Sequence, residues 1–244
     1  MKYHIDTIPV WNAFKEGGEC PLCVLQLQNE NMYLDNFLGA SVMEPDVRVE
    51  VNEKGFCARH FARMITAQNR LGLALMTHTH LKQTIETFEK AASALEGAPP
   101  KKLFQKSKEN EAKAYAARMA GQGERCILCD RLDQTMKRYV YTTLHLWRTD
   151  TQFKQTFAAS RGFCVRHFGE LADMALEECS VPDRNAFLKA LIVLERENLD
   201  RLEKELEWFT LKFDYRNNDK PWGTSKDALE RAINKLVGRC VGEQ

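Results

Sequence analysis

The chain has 244 residues, 44% of them hydrophobic and 28% charged, with a formal net charge of +1 at pH 7. This composition predicts a globular protein with a real core. The nearly balanced charge produces no strong electrostatic field, so neither nucleic acid nor an anionic membrane is an expected partner.

The amino terminus, MKYHIDTIPVWNAF, lacks the charged start and continuous apolar run of a signal peptide. No later stretch approaches the roughly 20 apolar residues of a membrane span. We therefore expect a cytoplasmic protein without a membrane partner. Because the cytoplasm is reducing, the eight cysteines are interpreted as metal ligands or redox thiols before disulfides.

Two motifs recur in the same order along the chain. GECPLC at 18–23 returns as ERCILC at 124–129, and GFCARHF at 55–61 returns as GFCVRHF at 162–168. The two copies of the first motif are 106 residues apart, from Cys20 to Cys126, and the two copies of the second are 107 apart, from Cys57 to Cys164. Two motifs repeated across nearly the same offset indicate an internal duplication.

The periodicity is helical almost everywhere. The residues after each CxxC motif have helical character, and apolar residues at steps of three or four over 71–95 predict a long helix that stops at Gly97 and the following prolines. A second long helix, opened by Ser180, is predicted by the apolar stripe over 187–213. No pair of alternating runs joined by a hairpin turn is present, so the predicted fold class is all-α.

The duplication predicts four segments. We expect a first metal-binding repeat at 1–100, a linking helix at 101–123, a second metal-binding repeat at 124–213, and a C-terminal loop and helix at 214–244 that pack on the repeats. The linking segment is rich in lysine but contains interleaved glutamates, which favours a solvated helix over a nucleic-acid patch.

Each repeat contains the pattern C-x2-C followed after 33 or 34 residues by C-x2-H. We expect one metal centre in each repeat, the first formed by Cys20, Cys23, Cys57 and His60 and the second by Cys126, Cys129, Cys164 and His167. Zn²⁺ favours four tetrahedral sulfur and nitrogen ligands, and a closed site of four ligands leaves no position for a catalytic water. The pattern thus predicts two structural zinc ions. We expect each Cys and His pair to open the long helix of its repeat.

Other chemistry remains open for these cysteines. Three cysteines can also bind an iron–sulfur cluster, with histidine as an occasional ligand, although mixed Cys3His ligation favours zinc. A pair of thioredoxin-like dithiols is less favoured because such motifs accompany a βαβ pattern that the sequence lacks.

Three pairs of residues beside the third cysteine of each repeat are expected to support the metal: the turn glycines Gly55 and Gly162, the shielding aromatics Phe56 and Phe163, and the arginines Arg59 and Arg166. Three thiolates and a neutral imidazole around a divalent ion carry a net charge of minus one. A neighbouring guanidinium could offset that charge and donate hydrogen bonds.

With these motifs the chain resembles a bacterial family, the domain-of-unknown-function 6062 group, in which CPxC-type and GFCxRH-type motifs occur as a duplicated pair. The resemblance includes the opening IPVWNAFKEGGECPLC and the ending FDYRNNDKPWGTSKDALERAINKL. It implies the duplicated ligands and brings no biochemical activity with it.

The remaining candidates lie outside the repeat. Cys179 and Cys240 are interpreted as ordinary thiols, and His78, His80 and His145 as packed helix residues. The loop at 214–222 breaks the helical period and concentrates polar and aromatic side chains, so it is either a recognition loop or a docking loop anchored by a tryptophan. Its candidate recognition residues are Asp214, Tyr215, Arg216 and Trp222.

No nucleophile elbow, P-loop or dinucleotide-binding glycine motif is present, so an enzymatic role stays uncertain. We expect a binding or adaptor module with a protein partner and two zinc ions. The alternative is an iron–sulfur redox protein or enzyme with two clusters bound by the same ligands.

Overall fold

The computed structural model describes residues 4–67, 69–96, 106–121, 123 and 125–239. These residues form eleven α-helices and no β-strand, which confirms the all-α prediction. In chain order the helices are α1 (His4–Glu16), α2 (Pro21–Leu38), α3 (Pro45–Lys54), α4 (Ala58–Thr66), α5 (Arg70–Glu96), α6 (Lys106–Ala120), α7 (Ile127–Thr149), α8 (Thr151–Ala158), α9 (Val165–Glu178), α10 (Val181–Leu211) and α11 (Ala228–Val237). None of the helices seen in these ranges has an apolar stretch that could cross a bilayer.

Some predicted features lie outside the described residues. These are the helix stop at Gly97, Pro99 and Pro100, residues 101–105 and 122 of the linking segment, Glu124 at the start of the second repeat, and Cys240. The described part of the linking segment includes α6, which packs against α5.

The chain divides into two compact units. The Cys20 unit contains Met1–Asn29 and Gln134–Gln244, and the Cys57 unit contains Glu30–Asp133. The boundaries fall inside α2 and α7 and not at the ends of the predicted repeats. The reason is that each unit combines the CxxC motif of one repeat with the CxxH motif of the other.

The core of the Cys57 unit surrounds the second CxxC motif. Buried side chains from α2, α3, α4 and α5 pack there with Cys126, Ile127 and Leu128. The Phe56 ring lies edge-on to Phe37, with ring centroids 5.3 Å apart. Burial of these apolar side chains is the main driving force for the unit.

The core of the Cys20 unit is aromatic. Phe163 lies 6.0 Å from Phe14 and 5.5 Å from Phe157, and Phe157 lies 5.8 Å from Phe187, all measured between ring centroids. Phe153, Phe157, Phe163 and Phe187 are almost completely buried. The cluster joins α1, α8 and α10 to the turn that precedes Cys164.

The two long helices are present, but one predicted stripe faces solvent. On α10, Phe187, Leu191 and Leu194 are buried as the spacing predicts. On α5 the inward positions are instead Leu73 and Met76, whereas the predicted stripe that begins at Leu71 includes Leu81, Ile85 and Phe88, all exposed. Periodicity identifies an apolar face, and it does not say whether that face is covered.

Each GFC motif contains a turn that requires glycine. Gly55 has a φ of +65° and Gly162 a φ of +75°. A Cβ atom at Gly162 would lie 2.5 Å from the Glu195 carboxylate, which accepts a hydrogen bond from the Phe163 N–H at 2.9 Å. Lys235 pairs with the same carboxylate at 3.0 Å, so the turn is anchored by a buried ion pair.

We expect Gly162→Ala to destabilise the protein by about 1–3 kcal/mol, because alanine meets both an unfavourable φ and the Glu195 carboxylate. Gly169→Ala is the matched control: Gly169 lies inside α9 with no neighbouring atom near its would-be Cβ, so the change should stabilise by up to about 1 kcal/mol. Urea unfolding midpoints of the two variants compare them directly. Equal midpoints would contradict the assigned role of the turn.

Candidate metal centres

All eight predicted ligands lie in two compact groups, but the predicted pairing is wrong. One group, the Cys20 centre, consists of Cys20, Cys23, Cys164 and His167, and the other, the Cys57 centre, consists of Cys57, His60, Cys126 and Cys129. Each centre therefore combines the CxxC motif of one repeat with the CxxH motif of the other. The repeat shows which residues are equivalent, whereas the fold decides which of them meet.

All four ligands of the Cys20 centre are buried. The His167 Nδ1 atom lies 3.3 Å from the Cys20 sulfur, 3.4 Å from the Cys23 sulfur and 3.2 Å from the Cys164 sulfur. The Cys23 and Cys164 sulfurs are 3.6 Å apart. One nitrogen of the imidazole thus faces all three sulfurs.

The Cys57 centre has the same arrangement. The His60 Nδ1 atom lies 3.3 Å from the Cys57 sulfur, 3.1 Å from that of Cys126 and 3.5 Å from that of Cys129. The Cys57 and Cys129 sulfurs are 3.9 Å apart. Cys57 and Cys129 are half-buried, whereas His60 and Cys126 are buried.

These distances suit a single tetrahedral ion. With metal–sulfur bonds of about 2.3 Å and metal–nitrogen bonds of about 2.0–2.1 Å, ligand atoms at tetrahedral corners lie about 3.5–3.8 Å apart. The Cys23–Cys164 and Cys57–Cys129 sulfur separations of 3.6 and 3.9 Å are close to this range, and the distances from Nδ1 to sulfur are slightly shorter. In both centres all four ligand atoms lie within 4.8 Å of one another. The two groups can each bind one metal ion.

Short helices position the ligands. Cys57 and Cys164 are the N-cap residues of α4 and α9, so Cys and His lie one turn apart at a helix start. The expectation that these pairs open the long helices is therefore wrong, because α4 and α9 end before α5 and α10 begin. Cys20 immediately precedes α2, and the Cys23 N–H donates to the Cys20 carbonyl at 3.1 Å, which turns both sulfurs to one side.

A buried carboxylate orients His60. The His60 Nε2–H donates to Glu30 Oε1 at 2.9 Å, and Glu30 is only 6% exposed. Arg59 and Arg63 bind the same carboxylate, each at 2.7 Å. A proton fixed on Nε2 leaves Nδ1 available to a metal, the usual arrangement for a histidine ligand.

His167 lacks this arrangement. Its Nε2 atom is buried and has no hydrogen-bond partner among the described residues, and Glu170 Oε2 lies 3.9 Å away. Glu170 instead accepts a hydrogen bond from Arg166 Nε at 2.8 Å. The two centres therefore have similar ligands and different surroundings.

The predicted supporting residues divide into two kinds. Phe56 and Phe163 are buried in the cores described above, next to the N-cap cysteines. Arg59 binds the Glu30 carboxylate and lies 3.4 Å from His60 Nε2, and Arg166 binds the Glu170 carboxylate.

In each centre the pKa of one thiol, Cys126 or Cys164, is lowered and the pKa of the imidazole is raised. Burial raises the pKa of Cys126, but hydrogen bonds from His60 and from the backbone outweigh it and lower the pKa to about 6. Burial lowers the pKa of His60 and of His167, because it disfavours the charged imidazolium. Hydrogen bonds to cysteine outweigh this effect and raise the pKa of each to about 9. Burial also raises the pKa of Cys20 and of Cys129.

A buried acid that the sequence analysis missed supports the loop before Cys20. Glu19 is 8% exposed and accepts hydrogen bonds from Arg161, Arg201 and Arg231, at 3.4, 2.5 and 3.0 Å. Because Arg201 lies on α10 and Arg231 on α11, Glu19 joins both helices to the first CxxC motif. Its position beside a ligand cysteine was the available signal.

A cavity of about 360 Å³ lies beside the Cys20 centre. Cys20 and Cys23 form part of its wall, together with Gly17, Gly18 and Arg239. No atom stands within 4 Å of the Cβ position of either glycine, so this side of the loop is open.

The candidate recognition loop at 214–222 is stabilised by contacts with side chains near the end of α10. The Lys212 ammonium donates to the carbonyls of Asn217, Asn218 and Lys220 at 2.6–2.9 Å, and the Trp222 ring lies 5.7 Å from that of Phe209. Tyr215 is 81% exposed, and Asp214 pairs with Arg216 on the surface. The loop combines an anchored tryptophan with an exposed tyrosine.

The other candidates are not members of either ligand group. His80 donates from Nδ1 to the Asn52 carbonyl at 2.9 Å and packs against Gly55, and the His145 ring stacks on Tyr141. Cys179 is a half-buried free thiol at the end of α9.

Comparisons with known proteins give a family and no activity. The Family of unknown function (DUF6062) matches residues 1–243. The uncharacterized 23.9 kDa protein in the xynA 3' region of Caldicellulosiruptor sp. (strain Rt8B.4) is 26% identical over 205 residues, which are 84% of this chain and 86% of that protein. No solved structure matches the chain.

The exchanged pairing predicts the stoichiometry of double variants. Cys20→Ser with Cys164→Ser removes two ligands of one centre, so the protein should keep one equivalent of metal. Cys20→Ser with Cys57→Ser damages both centres and should leave none. Metal analysis after gel filtration distinguishes them, and pairing within each repeat requires the opposite result.

Metal binding should release at least two protons per equivalent near pH 7. The imidazolium and at least one thiol of each centre, His60 with Cys129 and His167 with Cys20, must lose their protons to become ligands. The apparent affinity should therefore rise about a hundredfold or more per pH unit below the imidazole pKa of about 9. Calorimetric titration in buffers of different ionisation enthalpy counts the protons, and a count below two would contradict the assignment.

Proposed function

Because the chain belongs to the Family of unknown function (DUF6062), whose description assigns no activity, we propose from its own residues that it is a zinc-binding adaptor protein. Its two Cys3His centres are structural, and its helices present a surface to a protein partner. The observation that carries the proposal is the convergence of four ligand atoms, twice, at the spacing of a single tetrahedral ion.

The spacing supports zinc over an iron–sulfur cluster. A cluster places several iron and sulfide ions between its cysteines and so holds their sulfurs farther apart than one ion does. All four ligand atoms of each centre lie within 4.8 Å of one another, with Cys23 and Cys164 sulfurs 3.6 Å apart and Cys57 and Cys129 sulfurs 3.9 Å apart. Three soft thiolates with one imidazole are also a typical structural zinc set.

The chemistry of the ligands supports a structural role. Four protein ligands complete a tetrahedron, so a bound zinc has no open position for water or substrate. Its contribution would be folding free energy, on the order of 10 kcal/mol of apparent binding free energy per centre. The seven free cysteines among the described residues suit a reducing compartment such as the cytoplasm.

The adaptor role is supported by exposed apolar side chains on α5. Leu81, Ile85 and Phe88 are 53%, 49% and 56% exposed. They follow one another at steps of four and three, and therefore share one face of the helix. An exposed apolar stripe on a helix is a common way to recognise another protein.

We expect untagged protein purified under anaerobic conditions to be colourless and to contain two equivalents of zinc by mass spectrometry. Removal of zinc with a strong chelator should lower the thermal unfolding temperature, because the ions stabilise only the folded chain. A brown protein with broad visible absorption and labile sulfide would show that the centres bind iron–sulfur clusters and not zinc.

The adaptor role is tested on the α5 stripe. Ile85→Glu with Phe88→Glu should abolish capture of the partner from native lysate while zinc content and helicity stay unchanged, because the side chains are exposed. Glu86→Ala, on a different face of the same helix, is the control. Equal capture by both variants would contradict a role for the stripe.

A further inference from the structure

We propose that the two centres have different roles: the Cys57 centre retains its metal, and the Cys20 centre is the exchangeable one. This inference rests on the proposed zinc binding. It comes from comparing the residues that occupy equivalent positions in the two repeats around otherwise similar ligands.

The first difference is the partner of the histidine. Glu30 fixes the His60 imidazole through Nε2–H at 2.9 Å, whereas the buried His167 Nε2 has no hydrogen-bond partner among the residues described. A histidine ligand held by a carboxylate is oriented before the metal arrives and is more basic. The nearest carboxylate to His167 Nε2 that is seen there is that of Glu170, at 3.9 Å, which is beyond hydrogen-bond distance. Glu30 is thus a positioning residue for one centre.

The repeat itself explains the difference. The offset of 106 residues that relates Cys20 to Cys126 also relates Tyr33 to Tyr139, and it places Met136 at the position of Glu30. Met136 is 2% exposed, so its thioether occupies a buried position where the other repeat has a carboxylate. A methionine cannot accept the proton of a histidine as a carboxylate does.

A second difference lies in the backbone beside the ligands. The Ile127 N–H donates to the Gly55 carbonyl at 3.2 Å, which joins the CxxC and CxxH motifs of the Cys57 centre directly. The equivalent of Ile127 in the first repeat is Pro21, which has no N–H to donate. The Cys20 centre therefore lacks this backbone connection between its two motifs.

A third difference reverses a charge. Arg63 binds Glu30 in the Cys57 centre, and the equivalent residue 107 positions later is Glu170. Arg59 and Arg63 together neutralise Glu30 and offset the negative charge of a zinc tris-thiolate. In the Cys20 centre Glu170 neutralises Arg166 instead, at 2.8 Å.

Access to the ligands also differs, but one observation favours exchange at the Cys20 centre and another favours exchange at the Cys57 centre. Cys20 and Cys23 form part of the wall of the cavity of about 360 Å³, so a small competing ligand in that cavity would lie next to the Cys20 centre. Cys57 and Cys129, however, are more exposed to solvent than the cysteines of the Cys20 centre. We expect ligand orientation to decide, because loss of an outer hydrogen bond to a ligand typically lowers metal affinity about 10–100-fold.

The test uses the wild-type chain with less zinc than it can hold. Reduced, metal-free protein receives one equivalent of zinc and is then treated with N-ethylmaleimide, and the labelled peptides are quantified by mass spectrometry. We expect at least tenfold protection of Cys57, Cys126 and Cys129 relative to metal-free protein. Cys20, Cys23 and Cys164 should react as they do without metal. Protection of the more exposed thiols cannot result from burial.

Variants of Glu30 assign the cause. Glu30→Ala should distribute the single equivalent over both centres, whereas Glu30→Gln should keep most of the preference because its amide oxygen can still accept the His60 proton. Glu50→Ala removes a half-exposed glutamate of the same unit that pairs with Arg131, and it should change nothing. In a chelator titration of the wild-type protein, the two equivalents should leave with affinities about 10–100-fold apart.

The outcomes separate the two proposals. Equal protection of both sets of cysteines in the wild-type chain would overturn the division of roles while leaving zinc binding intact. An unchanged preference in Glu30→Ala would overturn the assignment of Glu30 as its cause. A chain in which neither set is protected even with two equivalents of zinc would overturn zinc binding itself, and the division of roles with it.

Discussion

Each tetrahedral centre requires a CxxC motif from one repeat and a CxxH motif from the other, so neither repeat can complete a site alone. The Cys23 and Cys164 sulfurs approach to 3.6 Å although 141 residues separate them in the sequence. Closing a loop of that length carries an entropy cost that grows with the logarithm of its length. An ion bound to both ends would offset this cost. The compact units coincide with the ligand pairing and not with the repeats.

Charge is the second organising constraint. A divalent ion with three thiolates and a neutral imidazole carries minus one, and each centre has guanidinium groups nearby. Beside His60 the groups of Arg59, Arg63 and Glu30 sum to plus one, which balances the ion and its ligands. Beside Cys23, Arg239 lines the same cavity. In the same region three arginines form ion pairs with the buried Glu19, so part of their positive charge is neutralised there.

The sequence predicts the ligand types well because their chemistry is local. Two-residue gaps, a glycine with positive φ before each third cysteine and helical periodicity are all properties of a few neighbouring residues, and the structure has them at Gly55 and Gly162. The pairing of motifs is not local. By ligand chemistry alone, each CxxC motif could pair with either CxxH motif. Only the packing of the whole chain decides which pair meets. The outward face of α5 and the role of Glu30 were missed for the same reason. A comparison of the repeats offered one signal, since Glu30 stands where the other copy has Met136.

The sharing of ligands also bears on how such a chain could arise. A protein consisting of one repeat would supply only two of the four ligands of each centre. Two such molecules, related by a twofold axis, would have been needed to complete a pair of identical sites. Gene fusion would turn that obligate homodimer into a monomer without altering any metal–ligand bond. Once both copies share a single polypeptide, symmetry no longer forces them to mutate together, and substitutions such as methionine at position 136 can accumulate on one side alone.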